Sequence, residues 1–279
     1  KKLTLNEIVK KISSDFISTK KNKSLRIHIS MYIAAFVSMD VFNALLIYYI
    51  ADYLNMFSSY QFLLGTVVII QMLSLFIVMK FVNKFGNAKT YRIHATTWII
   101  GIILLFLLKG TMPVWILLVV GSIIGFGLSG CVMTPYNMLA FVVDADQMIT
   151  TKRREGIYAG VMTFLRKIAQ AIALFSVGVG LDLIGYQKRI NDVFQVQSSE
   201  TLLGIKLMIF AIPILLLSVG IIRSFKFKID PENHKILLNE INRLSNNGSK
   251  ADASNTTVAI VEEITGIEYS KLWNSEDLL

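Results

Sequence analysis

The sequence predicts an all-α, polytopic membrane protein, and three observations carry that reading. Hydrophobic residues make up 54% of the 279-residue chain and charged residues only 17%, far from the usage of soluble domains. The apolar residues gather into six runs, roughly 27–51, 59–82, 92–109, 113–143, 156–184 and 201–224, each long enough or nearly so for the ~20 residues that cross the hydrocarbon core. The basic residues fall in short clusters between the runs, dense on one side and sparse on the other. Each run is expected to be helical, because lipid offers no partner for open backbone groups.

Residues 1–26 precede the first span. Thr4 and Glu7 have capping-box spacing, and Leu5, Ile8, Val9, Ile12 and Phe16 recur on one face, so an amphipathic helix is expected against the inner membrane surface or the base of the bundle. The chain opens on Lys1 with no signal-peptide pattern and reads as a piece of something longer. The first segment, the second loop (Lys80, Lys84, Lys89, Arg92), the fourth loop (Lys152, Arg153, Arg154) and the exit of the last span (Arg223, Lys226, Lys228) together hold 18 basic residues. The opposite side holds Lys109, Lys188 and Arg189, with Lys206 at its edge. The positive-inside rule therefore expects both termini in the cytoplasm, flanking a bundle over 27–225.

In the tail, 226–279, Asp230-Pro231 is a helix start, "NHKILLNEINRL" a short amphipathic helix stopped by "SNNGS", and "VAIVEEI" one more short helix. Asn247 and Asn255 match the glycosylation pattern, but a cytoplasmic tail is not exposed to that modification.

Several function classes fall away. The excess of 28 Lys and Arg over 19 Asp and Glu does not mark a nucleic-acid binder, because no basic stripe or interleaved aromatics accompany it. Cys131 is the single cysteine and lies in an apolar run, so neither a disulfide framework nor a metal spacing exists. His28, His94 and His234 have no spaced metal partners. With no phosphate-binding glycine loop and no nucleophile in a recognisable setting, the chain is not expected to be an enzyme.

Charges inside the spans are the informative anomaly, since an ionisable group at the bilayer centre is costly and usually faces a cavity or a partner. Lys167 lies twelve residues past Glu155, which at the helical rise is ~18 Å and near mid-depth. Gly160, Thr163, Lys167 and Gln170 share one helix face, a stripe of small and polar groups suited to a water-filled pathway. Arg166 is turned about 100° from Lys167, so it does not point squarely into the same place and needs a partner. Asp40 is the other deep charge, with Asn43 following on its face. Its role is either to pair with Arg166 or Lys167, or to hold a proton or cation directly. In the fourth span Gly130, Thr134 and Asn137 align, with Pro135 and Tyr136 interrupting the surface, making Thr134 and Asn137 cavity candidates. "GSIIGFGLSG" before them reads as a close helix-packing surface.

The stretch "VVDADQMITTKRREGIYAGVMTFLRKIAQAIA" followed by "LIGYQ" resembles the segment around the eleventh helix of the glycoside-pentoside-hexuronide:cation symporters, the melibiose permease group of the major facilitator superfamily. "LIYYIADYL", "TPYNMLAFVVD" and "LLGIKLMIFAIPILLL" resemble matching family segments in order and spacing. The resemblance implies a sugar:cation symporter, with six spans corresponding to spans seven to twelve of twelve. The missing N-terminal six-helix half, which carries the family's principal sugar-binding and cation-binding acids, would be the partner. Further implications are a glycoside or oligosaccharide substrate, a co-transported monovalent cation (Na⁺, H⁺ or Li⁺) with no other cofactor, a coupling role for Lys167 and a cavity position for Thr163. The family's acidic "DxxDY" departs here, with Phe141 and Ala145 at its first and last positions and Asp144 and Asp146 present, so its gating role does not carry over. The alternative is a non-transporting remnant or regulatory membrane protein that binds a glycoside or partner.

Overall fold

The computed structural model describes residues 17–190 and 195–273. The amphipathic helix expected from Thr4 to Phe16 lies outside them. Among the described residues six helices are long and apolar enough to cross a membrane. Helix α1 (Lys23–Tyr48) is capped by Asn22, whose side chain accepts from the Leu25 N–H, and it continues through a π turn (Tyr49–Tyr53). Helices α2 (Tyr60–Phe85) and α3 (Asn87–Leu107) are separated by Gly86 alone, at a φ of +76° that suits only glycine. Helices α4 (Val114–Thr150), α5 (Glu155–Leu183) and α6 (Ser199–Ser224) complete the bundle.

Helix α4 departs from expectation by running past residue 143 to Thr150. The apolar run ends where expected, but Asp144 and Asp146 are buried and paired with Arg153 and Arg154. Their charge is compensated in place, so the helix carries them without breaking. Pro135 sits inside α4, and its carbonyl is taken by the His28 ring at 2.7 Å, which ties α1 to α4.

The most extensive packing joins α3 with α4, α1 with α6 and α2 with α4. The glycine-rich stretch of α4 is the reason α3 comes so close: a Cβ on Gly127 would lie 2.5 Å from the backbone nitrogen of Trp98. The buried phenols are satisfied locally, Tyr49 donating to the Leu105 carbonyl at 3.0 Å and Tyr91 to that of Met31 at 3.1 Å. By contrast α2 exposes Phe62, Ile69, Met72, Leu73 and Phe76, an apolar face fit for lipid or for another helix.

Both tail helices form where expected. Helix α7 (Pro231–Ser245) has Asp230 as its cap, accepting from the N–H groups of Glu232 and Asn233, and α8 (Asn255–Thr265) is capped by Ser254. They dock on the end of the bundle that carries the basic loops. There Ser24 donates to the Ile264 carbonyl at 2.7 Å, and the Trp273 N–H donates to that of Met148 at 3.1 Å.

Candidate functional site

The two deep charges meet. The Asp40 carboxylate accepts one hydrogen bond from Arg166 Nη2 at 2.9 Å, Nη1 lies 2.6 Å from the other oxygen as an ion-pair contact without hydrogen-bond alignment, and Gln170 donates a longer bond at 3.4 Å. One charge-assisted hydrogen bond and a close ion contact thus hold the pair. The Arg166 guanidinium also lies 4.9 Å from the Phe36 ring centroid. Tyr32 packs on Phe36 at 4.5 Å, and Tyr136 from α4 presents its ring edge-on to both at 5.8 Å. The pair therefore sits in an aromatic box between α1, α4 and α5.

This resolves the partner left open for Arg166. Its rotation away from Lys167 is what carries it to α1, so the residue turned from the stripe is the one that meets Asp40. Lys167 has no carboxylate within 4 Å among the described residues and is exposed, as is Thr163. Helix α5 shows three faces. Tyr158, Val161, Met162, Ala173, Val177 and Leu181 pack inward. Gly156, Gly160, Thr163 and Lys167 form an exposed stripe of small and polar groups, while Phe164, Ile168, Ile172, Phe175 and Val179 form an exposed apolar one. At 100° per residue the two exposed stripes are centred roughly 100° apart. Only the apolar one suits lipid.

The other candidates divide. Gln170 joins the pair and Asn43 is exposed beside it in sequence. Asn137 is half-buried, and its side chain has no hydrogen bond among the described residues. Thr134 corrects the sequence reading: it is fully buried, and its hydroxyl donates back to the Gly130 carbonyl at 2.7 Å, so it lines no cavity here. Sequence reasoning missed the aromatic box, although Tyr32, Phe36 and Asp40 fall at i, i+4 and i+8 on one face. Lys206 lies at the edge of the sparse side, as expected, against residues at the ends of α1 and α3. It donates to the Tyr53 hydroxyl at 2.7 Å and lies 4.0 Å from the Phe106 centroid, sheltered by aromatics.

At the basic end the acids serve as ties. Asp144 accepts from Arg153 at 2.8 Å and from the His234 ring at 2.8 Å, and Asp146 takes two bonds from Arg154 at 2.7 and 2.8 Å. Among the described residues no group of three His, Cys, Asp or Glu side chains is placed to hold a metal ion.

Comparison with known proteins is decisive at the family level. The model of the MFS/sugar transport protein family matches residues 7–231. The chain belongs to that family. With its six apolar helices this makes it a multi-pass membrane protein. It is similar to an uncharacterized symporter of Bacillus subtilis, 24% identical over 88% of this chain and 50% of the relative. It is similar also to a protein of Salmonella typhimurium named for sulfoquinovose import, 26% identical over 85% and 46%. A third similarity is to the sodium-dependent lysophosphatidylcholine symporter 1 of Gallus gallus, 24% identical over 62% and 33%. The chain thus spans half or less of the length of these relatives.

Proposed function

We propose that this chain is the C-terminal six-helix half of a glycoside:cation symporter working by alternating access, with the basic end and both termini in the cytoplasm. The observation that carries the reading is the Asp40–Arg166 pair at mid-span beside the exposed stripe of Thr163 and Lys167. Ionisable groups at that depth are retained where they meet a water-filled pathway or a substrate, and binding near the midplane at the meeting of two repeats is how this kind of transporter works. Thr163, Lys167, Gln170, Asn43 and Asn137 would supply hydrogen bonds to sugar hydroxyls. Asp40 would contribute charge to coupling, since any cation or proton reaching its carboxylate competes with Arg166. Names of relatives for sugar import and for sodium-dependent symport support the two halves of this reading.

The test is gradient-driven uptake of labelled glycosides in membrane vesicles that hold this chain with its complementary half. Lys167→Ala is expected to cut coupled uptake by about 10²-fold, the scale of losing one charge-assisted contact at a binding site, while leaving the melting temperature unchanged. Uptake and coupling equal to wild type would contradict the assignment. Uptake of lysophosphatidylcholine in place of every glycoside would overturn the substrate class.

A further inference from the structure

The two ends of α5 are held differently. At the basic end its entry is fixed by the Arg153–Asp144 and Arg154–Asp146 ion pairs, and the Tyr158 hydroxyl accepts from the Asn22 carboxamide at 3.2 Å. At mid-span the Asp40–Arg166 pair ties it to α1. Just past its far end the tie is a hydrogen bond from the Tyr186 hydroxyl to Asp52 at 3.1 Å, with the Tyr186 ring packed edge to face on Tyr48 at 4.9 Å. Arg189, over the Phe57 ring at 5.4 Å, adds its charge to this end. Between α5, α1 and α6 a cavity of about 320 Å³ is lined by Val41, Ile172, Val177 and Met208, and no atom lies within 4 Å of where a Cβ on Gly178 would stand. The far half of α5 thus has room to move, while its basic end does not.

The residues that receive this end lie in the π turn that closes α1. Asp52 takes Tyr186, and the next residue, Tyr53, accepts from Lys206 of α6 at 2.7 Å. The Leu54 N–H reaches back five residues to the Tyr49 carbonyl at 3.0 Å, and Asn55 follows at a φ of +55°, a left-handed conformation that asparagine adopts more readily than most residues. A π turn takes in one residue more than an α turn and recurs at functional sites. Returned to α geometry, the chain at its end would rotate by up to about 100°, carrying Asp52 and Tyr53 off both partners. The turn and its two bonds therefore form and break together.

We infer that the Tyr186–Asp52 bond, with Tyr53–Lys206 beside it, is a latch on the side opposite the basic loops. While it is made, the far end of α5 is held against α1. When it is released, α5 swings on its mid-span pair into the space beside α6, and the stripe bearing Thr163 and Lys167 opens to that side. The inference rests on the alternating-access reading above. Tyr186 and Lys206 are then positioning residues: they bias which side the stripe faces and touch no substrate, and the π turn is the two-state element they act on.

The test uses the chain assembled with its complementary half in vesicles, with a cysteine at position 163 and a membrane-impermeant maleimide added to either side. Tyr186→Phe removes the hydroxyl but keeps the ring on Tyr48. It is expected to raise labelling from the side opposite the basic loops about tenfold relative to labelling from the basic side, the scale of one hydrogen bond to a charged group. Lys206→Met is expected to move the same ratio in the same direction. Lys188→Gln, at the same end but in an exposed pair with Asp182, is expected to leave it unchanged. A ratio in Tyr186→Phe equal to wild type, or an equal shift in Lys188→Gln, would overturn the latch. So would labelling that rises alike from both sides with a lower melting temperature, which would make Tyr186 a structural residue. Wild type that labels from one side only, with and without a transported sugar, would overturn alternating access and the latch with it.

Discussion

Two places in this molecule hold a carboxylate against an arginine, and they use the pair differently. At mid-span Asp40 and Arg166 are 8% and 12% exposed, and at the basic end Asp146 and Arg154 are 2% and 12% exposed. Burial is similar, but Arg154 gives Asp146 two hydrogen bonds where Arg166 gives Asp40 one, and the surroundings differ too. The mid-span pair borders an exposed stripe with an unpaired lysine, whereas the basic-end pair closes a short loop between α4 and α5 and is tied further by Arg154 Nη1 donating to the Ser18 hydroxyl at 2.8 Å. Ion-pair geometry alone therefore does not mark a functional site. What distinguishes the two is open, unsatisfied polarity next to one of them.

That contrast can be broken by substitution. The largest effect is expected at mid-span, where Asp40→Ala or Arg166→Ala leaves one charge uncompensated in the hydrocarbon region and costs about 3–5 kcal/mol by denaturation in detergent. Replacing both by leucine is expected to recover most of that stability without recovering transport. Recovery of transport as well would make the pair purely structural. Arg154→Ala, at the basic end, is expected to cost about 3 kcal/mol or somewhat more, again from an orphaned aspartate, but to leave substrate affinity unchanged in the assembled transporter.

Smaller effects sharpen the frame around both pairs. Gly127→Ala forces α3 and α4 apart at Trp98 and is expected to lower stability by about 1–3 kcal/mol, the range for overpacking, read as a lower melting temperature. The weakest effect belongs to the tail. Burial alone would raise the Glu240 carboxyl, but hydrogen bonds from Arg243 and Tyr269 and the Arg243 charge outweigh it and hold it below the usual glutamate range. A depressed carboxyl stabilises the fold above its unfolded value, about 4.3, and that contribution is lost as pH falls through the lower folded value. Protection from hydrogen exchange in α8, relative to the intrinsic rate at each pH, is expected to fall as pH falls through that window, and in Glu240→Gln at neutral pH. Unaltered exchange in both would remove Glu240 from the tail's anchoring.

The spans and both tail helices were legible because their signals are local: apolar run length, an Asp-Pro start and short amphipathic runs. The end of α4 was not, since nothing in residues 144–150 reveals that Arg153 and Arg154 fold back to neutralise two aspartates. At the site the sequence reading reached Asp40, Arg166, Lys167 and Thr163, because charge at mid-depth is visible from residue counting. The pairing itself depended on the rotational phase of α5. Spacing fixes the angle between Arg166 and Lys167 but not which of them faces α1. Thr134 misled for a related reason: a hydroxyl on a helix can satisfy itself on the preceding turn, and alignment with Asn137 does not tell that case from a cavity position.

The central claim is that α5 turns its Gly156–Lys167 stripe to water and its Phe164–Val179 stripe to lipid. Single cysteines at positions 163, 167 and 175, exposed in turn to a membrane-impermeant maleimide in intact vesicles, test it directly. Cys131 is fully buried and gives little background. The account predicts that 163 and 167 label, that a transported sugar protects them, and that 175 stays unlabelled. Labelling at 175 as fast as at 163, or none at 163 and 167 in either orientation of the transporter, would contradict it.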